Sequence, residues 1–316
     1  MLLDKEQKAI DVIRLASQLS ETYYHKPLVV CFSGGKDSIV LLHLALRADV
    51  EIEVINSHVT IDPPELVYFT RGCIKDLQSV GIKAEIRKPK YKGKSTNMWQ
   101  LIVDKGMPPT RLTRYCCSIL KESSTPKRIS VVGVRAAESR KRQGRDSFAD
   151  AKNKRYMSLE HIREQFESSL QSAKELGQSA DEADSFDCVF IQSAKKNESL
   201  LANPIYEFTD EEIWDYIHYY NVPYCSLYDK GYSRLGCVGC PLVNKKQRLK
   251  EMNDFPKYRD NYIRAFDRML QKRFAQGKTN GTWKTGMDVY NWWMGIEQPI
   301  DGQMKISDID MNTQEE

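Results

Sequence analysis

One stretch limits what this chain can become. The apolar run Leu28 to Phe32 stops at Ser33, Gly34 and Gly35, passes Lys36 and Asp37, and resumes at Ser38 with apolar residues at helical spacing to about Arg47. That order predicts a buried strand, a glycine turn and a helix. Such a junction gathers backbone N–H groups and the positive helix end at one point, which suits a phosphate. The glycines let the backbone approach an anion, and Ser33 and Ser38 add hydroxyl donors. The spacing is not that of Walker A, which needs four residues between its first glycine and Gly-Lys-Ser/Thr. A lone glycine pair is most often only a turn; six such residues at a strand–helix junction make a nucleotide site.

The chain around this stretch alternates. Residues 4–24 carry Ile10, Ile13, Ala16 and Leu19 at helical spacing, an amphipathic lead-in helix. Glu51 to His58 reads as a second strand, Pro63 and Pro64 suit a helix start, and Gly81 to Arg87 reads as a third strand. Repeated strand–helix–strand units imply an α/β fold with a doubly wound, mostly parallel sheet. Ligands of such sheets sit beyond the carboxyl ends of the strands, where Ser33–Ser38 and His58–Asp62 fall. His58 is therefore a nucleotide-contact candidate, with a structural histidine as the alternative. Asp37 or Asp62 is the candidate for a Mg²⁺ that accompanies the phosphates of a bound nucleotide.

Ile129 to Val134 is a further apolar strand, and five cations follow within the eleven residues Arg135 to Arg145. Arg135 and Arg142 are the candidates there for neutralising charge on a bound phosphate, together with Lys36, and a solvated loop is the alternative for the run. Residues 146–186 turn to Ser, Ala, Glu, Gln and Lys, an insertion suited to a lid, with a polar-faced helix from Ser158 to Leu176 and a strand expected at Asp187 to Gln192. Thr209 followed by Glu212 is a capping box that opens another helix. The expected division is a nucleotide-binding domain over 1–244 and a basic, Trp-containing helical extension over 245–316.

With no apolar run near about 18 residues and no signal-peptide pattern, a soluble cytoplasmic protein is expected, with no membrane partner and with self-association into a homo-oligomer. Net charge is only +4, but Pro241 to Met287 holds twelve Lys/Arg against four Asp/Glu. That excess is either a solvated helical face or a surface for nucleic acid.

Eight cysteines in such a chain point to metal or redox chemistry before disulfides. Cys237 and Cys240 form a Cys-x-x-Cys with glycines that allow tight wrapping, and Cys116 and Cys117 are its natural complement. A [4Fe–4S] cluster is favoured, because adjacent cysteines strain to reach one zinc whereas a four-iron cube has separate corners; zinc and free thiols stay open. Cys31, Cys73, Cys188 and Cys225 read as small buried hydrophobes.

Taken in order, Ser33 to Ser38, Cys116-Cys117, Asn203-Pro204-Ile205, Leu227 to Tyr232 and Gly236 to Cys240 resemble the PAPS/APS reductase family of PP-loop proteins, over roughly residues 25–245. The resemblance implies an adenine-nucleotide α-hydrolase-like domain binding ATP, APS or PAPS at the loop. It also implies cluster ligation by Cys116, Cys117, Cys237 and Cys240, as in iron–sulfur members. Gly133-Val134-Arg135 with Ser139 and Arg142 is similar to the family's arginine motif, and Arg111, Arg114 and Lys121 flank the cysteine pair as basic residues do there.

Sulfonucleotide reductases attack with a cysteine near the C-terminus, and no cysteine follows Cys240 here. That departure, with the basic Trp-containing segment, resembles the Dnd/Ssp-type ATP pyrophosphatases of DNA phosphorothioation, which act with a cysteine desulfurase. The expectation is an iron–sulfur ATP pyrophosphatase that adenylylates a DNA backbone oxygen for sulfur incorporation. Lys245, Lys246 and Arg248, with Trp283, Trp292 and Trp293, are the nucleic-acid candidates, although core packing is the first expectation for each Trp taken singly. An APS/PAPS reductase with an external thiol, a tRNA thiolase and a non-catalytic partner subunit are the alternatives.

Overall fold

The computed structural model describes residues 2–122, 128–150, 155–177, 200–278 and 281–296. Two compact units emerge, and neither is a simple half of the chain. The first comprises Met1–Ser57, Pro64–Arg87 and Ser123–Leu235; the second comprises His58–Pro63, Lys88–Glu122 and Gly236–Glu316. The linear boundary expected at 244 therefore differs from the spatial one, because two earlier segments pack with the C-terminal helices.

Among the described residues the first unit is built on a seven-stranded sheet in the order β3-β2-β1-β6-β9-β7-β8. Its strands are β1 (Leu28–Cys31), β2 (Ile52–Ser57), β3 (Lys83–Arg87), β6 (Ile129–Val131), β7 (Phe148–Asp150), β8 (Arg155–Met157) and β9 (Leu200–Ala202). The pairs β1–β2, β2–β3, β1–β6 and β6–β9 are parallel, while β7 runs antiparallel to β9 and to β8. Leu28, Val29 and Val30 have no exposed surface. A central parallel strand covered on both faces reads as an unbroken apolar run for this reason.

Helix α1 (Leu2–Tyr24) buries Ala9, Ile13, Ala16 and Leu19, α2 (Lys36–Arg47) follows the glycine turn, and α3 (Pro64–Ser79) returns to β3. The segment expected as an insertion contributes the antiparallel strands β7 and β8, then α6 (Leu159–Leu176), capped by the Ser158 hydroxyl and closed by Gly177 in the left-handed region. Leu159, Ile162 and Phe166 join the same core as α1, so this part is structural rather than a loose lid. The strand expected at 187–192 lies outside the described residues. Helix α7 (Asp210–Tyr219) opens with the Thr209–Glu212 capping box anticipated from sequence.

The second unit has its own core around Tyr262, Phe266, Met269 and Trp293. It contains the hairpin β4 (Lys90–Tyr91) and β5 (Lys94–Ser95), then α4 (Met98–Lys105) and the single turn α5 (Tyr115–Cys117). Helices α8 (Lys245–Asp254), α9 (Pro256–Ala275) and α10 (Gly286–Met294) complete it. Among the described residues no helix is long and apolar enough to cross a membrane.

Candidate functional site

The glycine turn between β1 and α2 is a tight hydrogen-bonded loop. The Ser33 N–H donates to Ser38 Oγ at 3.2 Å, and the Ser38 hydroxyl donates to the Gly35 carbonyl at 2.9 Å. The two serine hydroxyls lie 3.1 Å apart. Gly34 has φ +77°, and a Cβ there would fall 2.3 Å from Thr70 Oγ1 on α3. Only glycine meets both demands, the left-handed backbone and the close approach. Gly35 caps α2 and has no side chain with which to satisfy the first amides of the helix.

Charge is concentrated beside this turn. Lys36 and Arg135 are 4% and 2% exposed. Arg135 Nε donates to Asp37 Oδ1 at 2.6 Å, Nη1 donates to the Phe208 carbonyl at 3.2 Å, and Nη2 pairs with Asp210. Lys36 Nζ lies 3.0 Å from Asp210 and 3.7 Å from Asp37. Two cations thus share two carboxylates. Burial raises the Asp37 carboxyl above its ordinary range against the pull of Lys36 and Arg135. Burial acts the same way on Asp210, but hydrogen bonds from Lys36 and Arg135 outweigh it and hold that carboxyl low. Arg142, grouped with Arg135 from sequence, pairs instead with Glu138, whose carboxylate also accepts the Arg135 backbone N–H at 3.1 Å.

Ser33, Gly34, Gly35, Lys36, Asp37, Ser38, Arg135 and Arg142 all belong to the first unit; His58 and Asp62 do not. They lie in the second, where the charges of Lys121 and His58 act on Asp62 and its carboxyl bonds with Cys237. Sequence reasoning missed Asp210, which looked like an ordinary acid in the first turn of a capped helix. It also gave no role to Tyr228, although the block Leu227 to Tyr232 stood out.

The four expected cysteine ligands do gather in the second unit. Cys116 and Cys117 share a hydrogen bond; the charges of Cys237 and Cys240 act on Cys116, and that of Cys117 acts on Cys237. Sharing that bond lowers the Cys117 thiol to about 5, helped by Arg114, whose Nη2 lies 3.6 Å from Cys117 Sγ. The bond raises Cys116, and burial raises Cys237 to about 12. The charge on Cys237 is the largest influence raising Lys121. The turn itself demands glycine: Gly239 has φ +73°, and a Cβ there would fall 2.2 Å from Met252 Cε. Its N–H donates to Glu251 at 2.7 Å. Among the described residues no three His, Cys, Asp or Glu side chains converge on a point where one metal ion would sit.

The basic segment is less free than its composition suggested. Arg248 is buried, with its guanidinium 4.4 Å from the Trp293 ring centroid and Nη2 donating to the Trp293 carbonyl. Trp293 is buried too, and its indole N–H donates to the Pro109 carbonyl at 2.7 Å. Arg248 is therefore a core residue, not the nucleic-acid contact expected, and Trp293 has the core packing that was the other expectation for each Trp. Lys272 pairs with Asp104 at 2.9 Å, and Lys250 with Asp254 at 3.2 Å.

Residues 27–243 match the phosphoadenosine phosphosulfate reductase domain family. The chain belongs to that family. Membership supports an enzyme domain that acts on nucleotides and binds an adenine nucleotide. An uncharacterized protein of Methanocaldococcus jannaschii is 26% identical over 73% of this chain and 40% of its own length, so the chain spans less than half of that relative. Among solved structures, the phosphoadenylyl-sulfate reductase of Candida auris is 14% identical, covering 73% of this chain and 88% of its own, at a TM-score of 0.42. The U34-tRNA thiolase NcsA of Methanococcus maripaludis, solved with its [4Fe–4S] cluster, is 12% identical over 93% of this chain and 90% of its own, at 0.41.

Proposed function

We propose that this reductase-family chain is an iron–sulfur ATP pyrophosphatase that adenylylates a DNA backbone oxygen so that sulfur can replace it. The observation that carries the nucleotide half is the buried pair Lys36 and Arg135, held by two carboxylates at the side-chain-free end of α2. Buried cations that are already paired beside the glycine turn can exchange those partners for a polyphosphate without rebuilding the fold. In the proposed step the acceptor oxygen bonds to the α-phosphorus and the bond to pyrophosphate breaks. Negative charge then grows on the leaving group, where Lys36 and the loop amides stabilise it. Ser33, Gly34, Gly35 and Ser38 hold the pyrophosphate, Arg135 and Arg142 sustain the positive field, and Asp37 takes the Mg²⁺ that accompanies ATP.

The cysteine half rests on charge and donor chemistry. Four thiols act on one another in one unit, with Lys121 and the buried Arg248 among them; Arg248 Nε has no hydrogen-bond partner among the described residues. Two cations near four thiols suit a buried anionic centre, and adjacent cysteines reach the separate corners of a cluster with less strain than one zinc ion. Cys116, Cys117, Cys237 and Cys240 would hold a [4Fe–4S] cluster, which would supply sulfur handling or electrons. His58 and Asp62 then serve the cysteine unit rather than the nucleotide. A cysteine desulfurase is the proposed sulfur donor, and a homo-oligomer the proposed assembly.

Family membership itself favours one second reading, the release of sulfite from APS or PAPS with an external thiol. Anaerobically purified protein incubated with ATP, APS or PAPS separates the two. Pyrophosphate from ATP, lost in Lys36→Ala and stimulated by DNA, is the expected result. Sulfite from APS or PAPS with ATP inert overturns it, and stimulation by tRNA alone moves the acceptor to RNA. Iron and acid-labile sulfide are expected to fall together in Cys116→Ser; unchanged iron removes the cluster.

A further inference from the structure

The first amide of α2 does not wait for a ligand. Gly35 offers no side-chain cap, and the Lys36 backbone N–H donates instead to the hydroxyl of Tyr228, 192 positions later, at 2.8 Å. A Cβ on Gly35 would lie 3.7 Å from that same oxygen, so the phenol reaches the loop where the backbone is barest.

Tyr228 is held there from several sides. Trp214 meets its ring edge-on with centroids 5.1 Å apart, and Tyr224 lies edge-on at 6.3 Å. The surrounding turn is closed by Tyr228 N–H to Cys225 carbonyl at 3.1 Å and Gly231 N–H to Tyr228 carbonyl at 3.0 Å. Lys230 then pairs with Glu65 at 3.2 Å, tying the turn to α3, the helix that crowds Gly34. Burial keeps the phenol protonated well beyond its usual range. A phenol that accepts one hydrogen bond still has a proton to give. Among the described residues no protein acceptor takes it.

We propose that Tyr228 positions the bound oxyanion: its oxygen keeps the Lys36 amide aligned while its proton is donated to a pyrophosphoryl oxygen of the nucleotide. This rests on the reading of Ser33–Ser38 as a pyrophosphate site. A neutral donor fixed by an aromatic cluster adds geometric selectivity without a further charge, beside cations that already share two carboxylates. A hydrogen bond to a charged group is worth enough to change affinity about tenfold or more.

Calorimetric titration with inorganic pyrophosphate tests this in the full chain, the Tyr228→Phe variant and the Tyr224→Phe variant. The phenylalanine at 228 keeps the ring against Trp214. Tyr224→Phe removes a hydroxyl of the same aromatic cluster, one that bonds only Asp229 among the described residues. The expected result is a loss of about tenfold or more in pyrophosphate affinity for Tyr228→Phe, with Tyr224→Phe unchanged. In steady-state turnover the same change should raise KM for ATP more than it lowers kcat. Equal affinity in Tyr228→Phe and the unmodified chain overturns the inference and leaves the loop reading standing. Equal losses in the two variants overturn it in favour of packing. If the unmodified chain binds no pyrophosphate, the inference and the loop reading fall together.

Discussion

Arg135 donates its Nε to Asp37 Oδ1 at 2.6 Å across 98 positions of sequence, joining the end of β6 to the first turn of α2. The same guanidinium also engages Asp210 and the Phe208 carbonyl, so one planar fork aligns three segments around the glycine turn. Lysine has one nitrogen to offer in place of three. Arg135→Lys is therefore expected to lower stability by about 3 kcal/mol and to abolish nucleotide turnover. Urea unfolding and pyrophosphate release measure the two effects, and a variant of unchanged stability and turnover would show that the fork is dispensable.

Gly34→Ala combines a left-handed φ with a Cβ 2.3 Å from Thr70 Oγ1. Its expected cost is about 2–4 kcal/mol, with pyrophosphate binding lost even where the protein remains folded. Gly72 on α3 has nothing within 4 Å of its added Cβ. Gly72→Ala is accordingly expected to fall within about 0.5 kcal/mol of the unmodified chain, or slightly above it.

Arg248 and Lys246 are two positions apart and should behave as opposites. Arg248→Ala removes a buried guanidinium from Trp293 and is expected to cost about 2–4 kcal/mol. Lys246 is exposed, and Lys246→Ala should leave thermal unfolding in place while reducing the salt dependence of DNA binding by about one phosphate contact. DNA affinity measured across a salt series decides this; an unchanged slope would free Lys246 from any part in DNA binding.

Glu53 on β2 is buried, and Arg128 Nη1 meets its carboxylate at 2.9 Å. Burial would raise that carboxyl, but hydrogen bonds from Arg128 and Lys83 win and lower it below 4.5. A depressed carboxylate stabilises the folded state fully above its unfolded value and loses that contribution as pH falls through the folded value. Glu53→Gln should consequently be destabilised by about 2 kcal/mol at pH 7, with the gap closing as pH falls through the lowered titration of the Glu53 carboxyl. Denaturation of both proteins across that range checks the sign.

The local order was legible in the chain itself. Leu28 to Arg47 announced strand, turn and helix, Thr209 and Glu212 announced a capped helix, and the alternation around them announced a parallel sheet, because periodicity and capping act over a few residues. Adjacent cysteines with a distant Cys-x-x-Cys likewise marked a shared fate through residue type alone. What the chain did not disclose is who meets whom. Asp210 looked like a first-turn acid until the fold set it against Lys36 and Arg135. Tyr228 looked like one tyrosine among sixteen until its hydroxyl reached the Lys36 amide. Asp62 and His58 follow a strand end, and residue order alone did not show that they fall in the same compact unit as the four cysteines. Arg248 counted as surface charge in the composition and is core in the structure, since composition records a charge without recording which face of a helix is covered. Contacts between residues a hundred or more positions apart depend on how layers pack, and only the tertiary structure decides that.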